Sequence, residues 1–185
     1  MHYLKQQHNN SALIETQTMK KTFLLFSLVI LAAFAHAQDK DMLKLAIPRY
    51  RILRVDSTYT TQDALNKNKP VMFIYFGPDC PHCQHLMSEM EKNMEPFKDI
   101  QIVMITYTKT EYPYLNMIRN FSRDYALPKY KNITMGTEYP GDEVLKYYHV
   151  STTPFIAIYN NKGKMMKYFD KPPKVEELIT AIKKA

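Results

Sequence analysis

Two thiols separated by two residues can pass electrons, and this 185-residue chain holds both of its cysteines in one such segment, Cys80-Pro81-His82-Cys83. An apolar run, Val71-Met-Phe-Ile-Tyr-Phe76, precedes it, bounded by Pro70 and Gly77-Pro78. That run suits a strand buried on both faces. After it, Leu86, Met90 and Met94 recur at helical spacing, so Pro81 to Glu95 reads as a helix ended or bent by Pro96. Cys80 therefore sits at a helix start. There the backbone N–H groups and the macrodipole favour a thiolate, and the Cys80 pKa is expected below the free-thiol value of about 8.5. A lower pKa gives more thiolate and a better leaving group. Cys83, one turn on, is expected to be less exposed and able to close back onto Cys80. Pro81 occupies the first helical position, where a missing N–H costs nothing. The His82 imidazole, by donating toward Cys80 or carrying a proton, would stabilise the thiolate further. Asp79 would partly counter it.

Other uses of the cysteines are open to weighing. Haem attachment needs a histidine at residue 84, which is Gln84. Two cysteines exclude a four-cysteine zinc site. A copper(I) chaperone could use Cys80 and Cys83 with His82, His85, His149 or a methionine, although Met87, Met90 and Met94 have the spacing of a core face. A closed structural disulfide would be a poor staple, because the loop it spans is tiny. A thiol peroxidase would need Thr and Arg beside the cysteine, where Gly77-Pro78-Asp79 stands.

The surrounding sequence sets the context. Residues 20–37, KKTFLLFSLVILAAFAHA, place two lysines before an apolar run and a small-x-small site, the layout of a signal peptide. The run falls short of the roughly 20 residues that span a bilayer. Residues 1–18 read as an upstream extension, 19–37 as the signal peptide and 38–185 as one domain. The mature chain would then be periplasmic or secreted, without a transmembrane segment, in a compartment that permits disulfides. The charge balance, 25 Lys+Arg against 18 Asp+Glu, is moderate and scattered, and nucleic acid is not indicated. Arg49, Arg51 and Arg54 read as a polar strand face. With Gly at 4, a glycine-cradled nucleotide site is not indicated either.

Further strands are expected at Arg51–Val55, Ile100–Tyr107, Asn132–Met135, Phe155–Tyr159 and Met165–Phe169. Helices are expected at Thr61–Asn68, Tyr114–Ala126, Gly141–Tyr148 and Lys174–Lys184. Strands alternating with helices imply an α/β fold with parallel strands, closed by an antiparallel hairpin. Thr153-Pro154 opens the strand before that hairpin. Tyrosines at 112, 114, 125, 130 and 139 could line a peptide groove or form a half-wet packing surface.

The strand, Gly77-Pro-Asp-Cys80-Pro-His-Cys83, the helix, and the later Thr153-Pro154 with its hairpin and last helix together resemble the thioredoxin superfamily over about Asn68 to Ala185. The Pro-His bridge resembles DsbA-type oxidases, and the extra helix and strand after Ile105 resemble the exported TlpA and ResA type. The resemblance implies a three-layer sandwich, a central mixed sheet with helices on both faces. It implies a thiol–disulfide oxidoreductase in which Cys80 attacks, Cys83 resolves, and Pro81 and His82 tune the thiolate. Pro154 would be cis, with Thr153 and Pro154 facing the substrate chain. Protein thiols or disulfides would be the partners, with a membrane-bound redox protein as electron partner and no cofactor beyond the cysteine pair. The chain departs from the family at Asp79, where Trp is frequent, and at Ile74, where many members bury an acid that takes the second thiol's proton.

Overall fold

The apolar run around Phe73 has nothing polar to offer solvent, so it must be covered on both sides and both edges, and it is. In the computed structural model, which describes residues 41–107, 114–138 and 141–185, it forms strand β3, Val71–Tyr75, every residue buried. The chain divides into units Met1–Met42 and Leu43–Ala185, and the second is described below. The expected signal peptide and upstream extension lie outside the described residues.

Along the chain come β1 (Arg51–Arg54), β2 (Tyr59–Thr61), β3, helix α1 (Pro81–Lys92), β4 (Gln101–Thr106) and α2 (Tyr114–Asp124). Next are β5 (Ile133–Glu138), α3 (Glu143–Tyr147), β6 (Phe155–Tyr159), β7 (Met165–Phe169) and α4 (Val175–Ile182). The strands form one mixed sheet in the order β2-β1-β5-β4-β3-β6-β7. β3 runs parallel to β4, and β4 to β5, with the remaining neighbours antiparallel.

Side chains alternate across the sheet, so each face gets every second residue. Met72, Ile74, Ile102, Met104, Ile156 and Ile158 form one core with residues of α1, α2 and α4. From α1 this core takes Cys83, Leu86, Met87 and Met90, the i, i+3, i+4, i+7 stripe of an amphipathic helix. The opposite face is aromatic. Phe73 meets Tyr50 and Tyr159 edge-on at 5.7 and 5.9 Å, and Phe155 packs on Tyr148 at 5.0 Å. The short α3 buries Val144 on this side. The tyrosines Tyr147 and Tyr159 both donate to the Ala46 carbonyl at 2.9 Å, and Tyr148 meets Tyr159 at 2.8 Å. These tyrosines hold the 43–50 segment against the sheet. Tyr112 and Tyr139 lie outside the described residues.

Three expectations need correction. The segment Thr61–Asn68 is not a helix: β2 takes Tyr59–Thr61 and a single 3-10 turn covers Gln62–Ala64. Thr61 does cap that turn, accepting from the Asp63 N–H at 3.3 Å. The turn buries no residue, and Asn66 Oδ1 accepts from the Asn68 N–H at 2.9 Å, a local bond that competes with helix. β1 is not part of the parallel set, because the hairpin with β2 turns it antiparallel to β5. α1 stops at Lys92, three residues before Glu95, because Asn93 leaves helical geometry at φ −126° and ψ 38° while its side chain donates to the Glu89 carbonyl at 2.9 Å. The stretch Glu95–Phe97 is a separate 3-10 turn.

β1 and β5 approach closely because residue 136 has no side chain. A Cβ on Gly136 would lie 2.7 Å from the Leu53 carbonyl oxygen and 3.1 Å from Ile52 Cβ. Gly136→Ala is expected to destabilise the protein by about 1–3 kcal/mol, as backbone must shift in a packed interior. A lower urea midpoint at unchanged slope is the expected readout, and an unchanged midpoint would show that the strands are not held this tightly.

Candidate active site

Residues 80 and 153 are far apart in sequence, and sheet register brings them together. Tyr75, the last residue of β3, pairs with Phe155, the first of β6. The chain leaving β3 and the chain entering β6 therefore share one end of the sheet. Phe76 continues the ladder by donating to the Ile105 carbonyl at 2.9 Å, and then Gly77-Pro78-Asp79 turns. The Cys80 N–H closes this turn onto the Gly77 carbonyl at 3.1 Å. Gly77 is buried, and a Cβ there would sit 3.2 Å from Cys80 Cβ. The turn needs the space that glycine leaves.

Cys80 is the N-cap of α1 and Pro81 its first residue. The first helical bond runs from the Gln84 N–H to the Cys80 carbonyl at 3.0 Å, and Gln84 Nε2 ties back to the Pro78 carbonyl at 2.9 Å. Both cysteines are free thiols. The Cys80 S–H donates to the Thr153 carbonyl at 3.4 Å, and the Thr153–Pro154 peptide is cis. Pro154 is buried and Thr153 half-buried. Thr152 Oγ1 donates to the Asp170 carbonyl at 2.7 Å, fastening this loop to the chain that leaves β7. Nothing in the sequence marked Thr152, because the bond depends on where β7 ends.

The sulfurs lie in different environments. Burial pushes the Cys80 thiol up, but hydrogen bonds outweigh it, and its pKa is lowered overall. Those bonds come from the Thr153 side chain, the Cys83 thiol, and the backbone N–H groups of Cys83 and His82. Cys83 is 1% exposed, and burial pushes its thiol up to about 12. A bond from the Gly77 N–H pulls the other way, and the neighbouring Cys80 adds to the rise.

The expected site residues Cys80, Pro81, His82, Cys83, Thr153 and Pro154 thus occupy one end of the sheet. His82 is exposed, and among the described residues its imidazole makes no hydrogen bond. What His82 gives Cys80 is its backbone N–H. Ile74 lies buried in the same core as Cys83. Glu89 pairs with Lys92 at 2.9 Å on the helix surface and Glu91 is exposed, so neither reaches the second thiol. The buried acid that sequence reading missed is Glu138, whose carboxylate accepts from the Val144 and Leu145 N–H groups at 2.6 and 3.3 Å. It caps α3, whose own N-cap residue Asp142 makes no side-chain bond there. Burial raises the Glu138 pKa. β5 runs on to Glu138, beyond the expected end at Met135, and so carries the carboxylate inside. Met87 and Met90 are core residues, and among the described residues no three of His, Cys, Asp and Glu gather as metal ligands. Arg54 pairs with Asp56 at 3.3 Å, and Arg51 lies over the Tyr59 ring at 3.8 Å, as a polar strand face would.

Comparison with known proteins bears on the fold. The model of the thioredoxin-like domain family matches residues 59–182. A curated Arabidopsis thaliana protein, protein disulfide isomerase-like 1-1, is 23% identical over 162 residues, 88% of this chain. The chain spans only 26% of that relative's length. Among solved structures, a secreted Mycobacterium tuberculosis disulfide oxidoreductase superposes with a TM-score of 0.59 at 16% identity, covering 78% of this chain and 98% of its own. StoA from Bacillus subtilis gives 0.55 at 18% identity, covering 74% and 98%. A thiol:disulfide interchange protein from Chlorobium tepidum gives 0.58 at 14% identity, covering 77% and 96%. At these identities the likeness speaks for the fold, and the expected thioredoxin-like sandwich with a mixed sheet stands.

The thiol asymmetry has a direct readout. In the reduced protein, iodoacetamide should modify Cys80 first. Its rate should rise with pH at a midpoint below that of an ordinary thiol, because a lowered pKa moves thiolate formation to lower pH. Cys83 should stay unmodified across the same range until the protein is unfolded. Equal labelling of both thiols, followed by mass spectrometry of the peptides, would contradict the assignment.

Proposed function

This chain belongs to the thioredoxin-like domain family, and from that premise we propose that it exchanges dithiols and disulfides with other proteins through Cys80 and Cys83. The observation that carries the reading is the unequal pair: a half-exposed thiol of lowered pKa beside a buried one held protonated. Exchange needs both, one to attack and one to wait.

In the reducing direction, the Cys80 thiolate attacks one sulfur of a substrate disulfide. A Cys80–substrate bond forms, the substrate S–S bond breaks, and the second substrate sulfur leaves as thiolate. Cys83 then gives up its proton and attacks Cys80 Sγ. The Cys80–Cys83 bond forms, the mixed disulfide breaks, and two electrons have passed to the substrate. The oxidising direction is the reverse. The Thr153 carbonyl next to Cys80 offers the backbone of an incoming chain an acceptor at the reacting sulfur. Pro81 fixes the helix start, and His82 tunes the thiolate through its backbone N–H.

The signal-peptide layout of residues 20–37 supports a periplasmic or secreted site of action. The Mycobacterium tuberculosis oxidoreductase that shares the fold is itself a secreted protein, which agrees with that placement. There a membrane-bound redox protein would recharge the pair.

Two variants and one equilibrium test the proposal. Cys80→Ser should abolish exchange with a disulfide-bonded protein such as insulin. Cys83→Ser should accumulate a mixed disulfide that dithiothreitol releases. The couple should titrate reversibly against glutathione. A potential near roughly −120 mV would mark an oxidant, and one near roughly −270 mV a reductant. Absence of both a trapped mixed disulfide and a two-electron couple would sink the reading.

A further inference from the structure

The end of the sheet away from the thiols carries a feature that the redox chemistry does not use. β5 enters the sheet at Ile133 and meets Arg54, at the end of the antiparallel β1, at Gly136, with α2 and the following 3-10 turn Leu127–Lys129 nearby. Two adjoining cavities of about 400 and 490 Å³ lie here and share Val55, Ser122 and Pro128. Their floor is apolar: Leu127 and Met135 are buried, and Val55 and Ile133 are half-buried. Their rim is cationic: Arg54 and Lys131 line one, Arg119, Arg123 and Lys129 the other. No carboxylate lines either cavity. The groove between β7 and α4 differs, since Glu176 and Glu177 there balance Lys167 and Lys184.

Some of these cations are already engaged. Arg54 pairs with Asp56 at 3.3 Å and Arg123 with Asp124 at 2.9 Å, while Arg119 donates to the Val55 carbonyl at 3.3 Å. Lys129 and Lys131 are exposed and make no ion pair among the described residues. Unneutralised charge around a recessed apolar floor attracts anions of a particular kind.

We propose that this groove docks an acidic peptide segment of a partner protein, with an apolar side chain of the segment seated on the Val55, Leu127, Ile133 and Met135 floor and its carboxylates on Lys129, Lys131 and Arg119. A membrane surface fits less well. Lipid contact needs apolar side chains that protrude, and these are recessed behind the cations. The groove lies where β5 begins, whereas Cys80 follows the end of the parallel strand β3. A partner held here leaves the thiols free, so the proposal stands apart from the exchange chemistry.

The test uses the full chain and a cysteine-free, fluorescein-labelled peptide of alternating glutamate and leucine. The expected result is binding that weakens as salt rises, with amide shifts at Val55, Ser122 and Ile133 and none at Cys80. The lysine–leucine counterpart should not bind. Lys129→Glu with Lys131→Glu should weaken binding on the order of tenfold, as reversing rim charges does. Lys162→Glu with Lys164→Glu, exposed on the β6–β7 turn, should leave it unchanged, and circular dichroism should match the parent for both pairs. No binding, equal loss in both pairs, or binding confined to phosphatidylglycerol vesicles would overturn the proposal.

Discussion

Two sulfurs one helical turn apart must live in different solvents for either to be useful, and most of the site follows from that constraint. A helix start can host a thiolate at its cap while the residue three positions on turns inward with the apolar stripe. Cys80 and Cys83 occupy those two places, and Leu86, Met87 and Met90 continue the stripe that buries Cys83. The helix cannot do this alone. It needs a sheet beneath it whose upper face is apolar, which Met72, Ile74, Ile102 and Ile156 supply. It also needs a second chain to meet the exposed sulfur. The antiparallel pairing of β3 with β6 provides that chain at a fixed height, and Thr153 is the residue that arrives. The thiol chemistry therefore rests on sheet register as much as on the cysteine motif. A slip of one residue in β6 would turn its side chains to the other face.

What could be read from the sequence, and what could not, divides along the same lines. β3 and β6 were legible because continuous apolar runs end abruptly at Gly77-Pro78 and Asn160, and β7 because the Asn160–Gly163 turn sends the chain back beside β6. The cysteine pair was legible because its chemistry is local to four residues. The failures are places where distant contacts decide. The Thr61–Asn68 segment has helix-permissive residues, but no face of it is buried, so nothing rewards a helix there. β1 sits antiparallel because β2 folds back on it through a turn in which Ser57 takes a positive φ of 65°, a choice that alternation of strands and helices does not reveal. Glu138 falls three residues past Met135, where the strand was expected to end. It is buried because β5 is longer than its apolar stretch, and because α3 needs an acceptor for its first N–H groups.

The departure at Ile74 bears on how Cys83 can react without a carboxylate beside it. Among the described residues, the groups that act most strongly on its thiol include no acid. Part of what holds the proton on Cys83 is the neighbouring Cys80, through both charge and hydrogen bonding. When Cys80 becomes bonded to a substrate sulfur, its negative charge is gone and that part vanishes. The Gly77 N–H and the Thr153 side chain still favour the Cys83 thiolate. Burial, the largest cause of the raised pKa, persists, so the second thiol remains harder to ionise than a free one. In the proposed exchange the same step would release a substrate thiolate close by, a base that can take the Cys83 proton, though uphill because burial keeps the second thiol the weaker acid. Proton transfer from Cys83 to that leaving sulfur needs no third group. On this account timing does part of the missing acid's work: in the proposed exchange Cys83 would be hardest to ionise while Cys80 is charged and easier to ionise once that charge is gone.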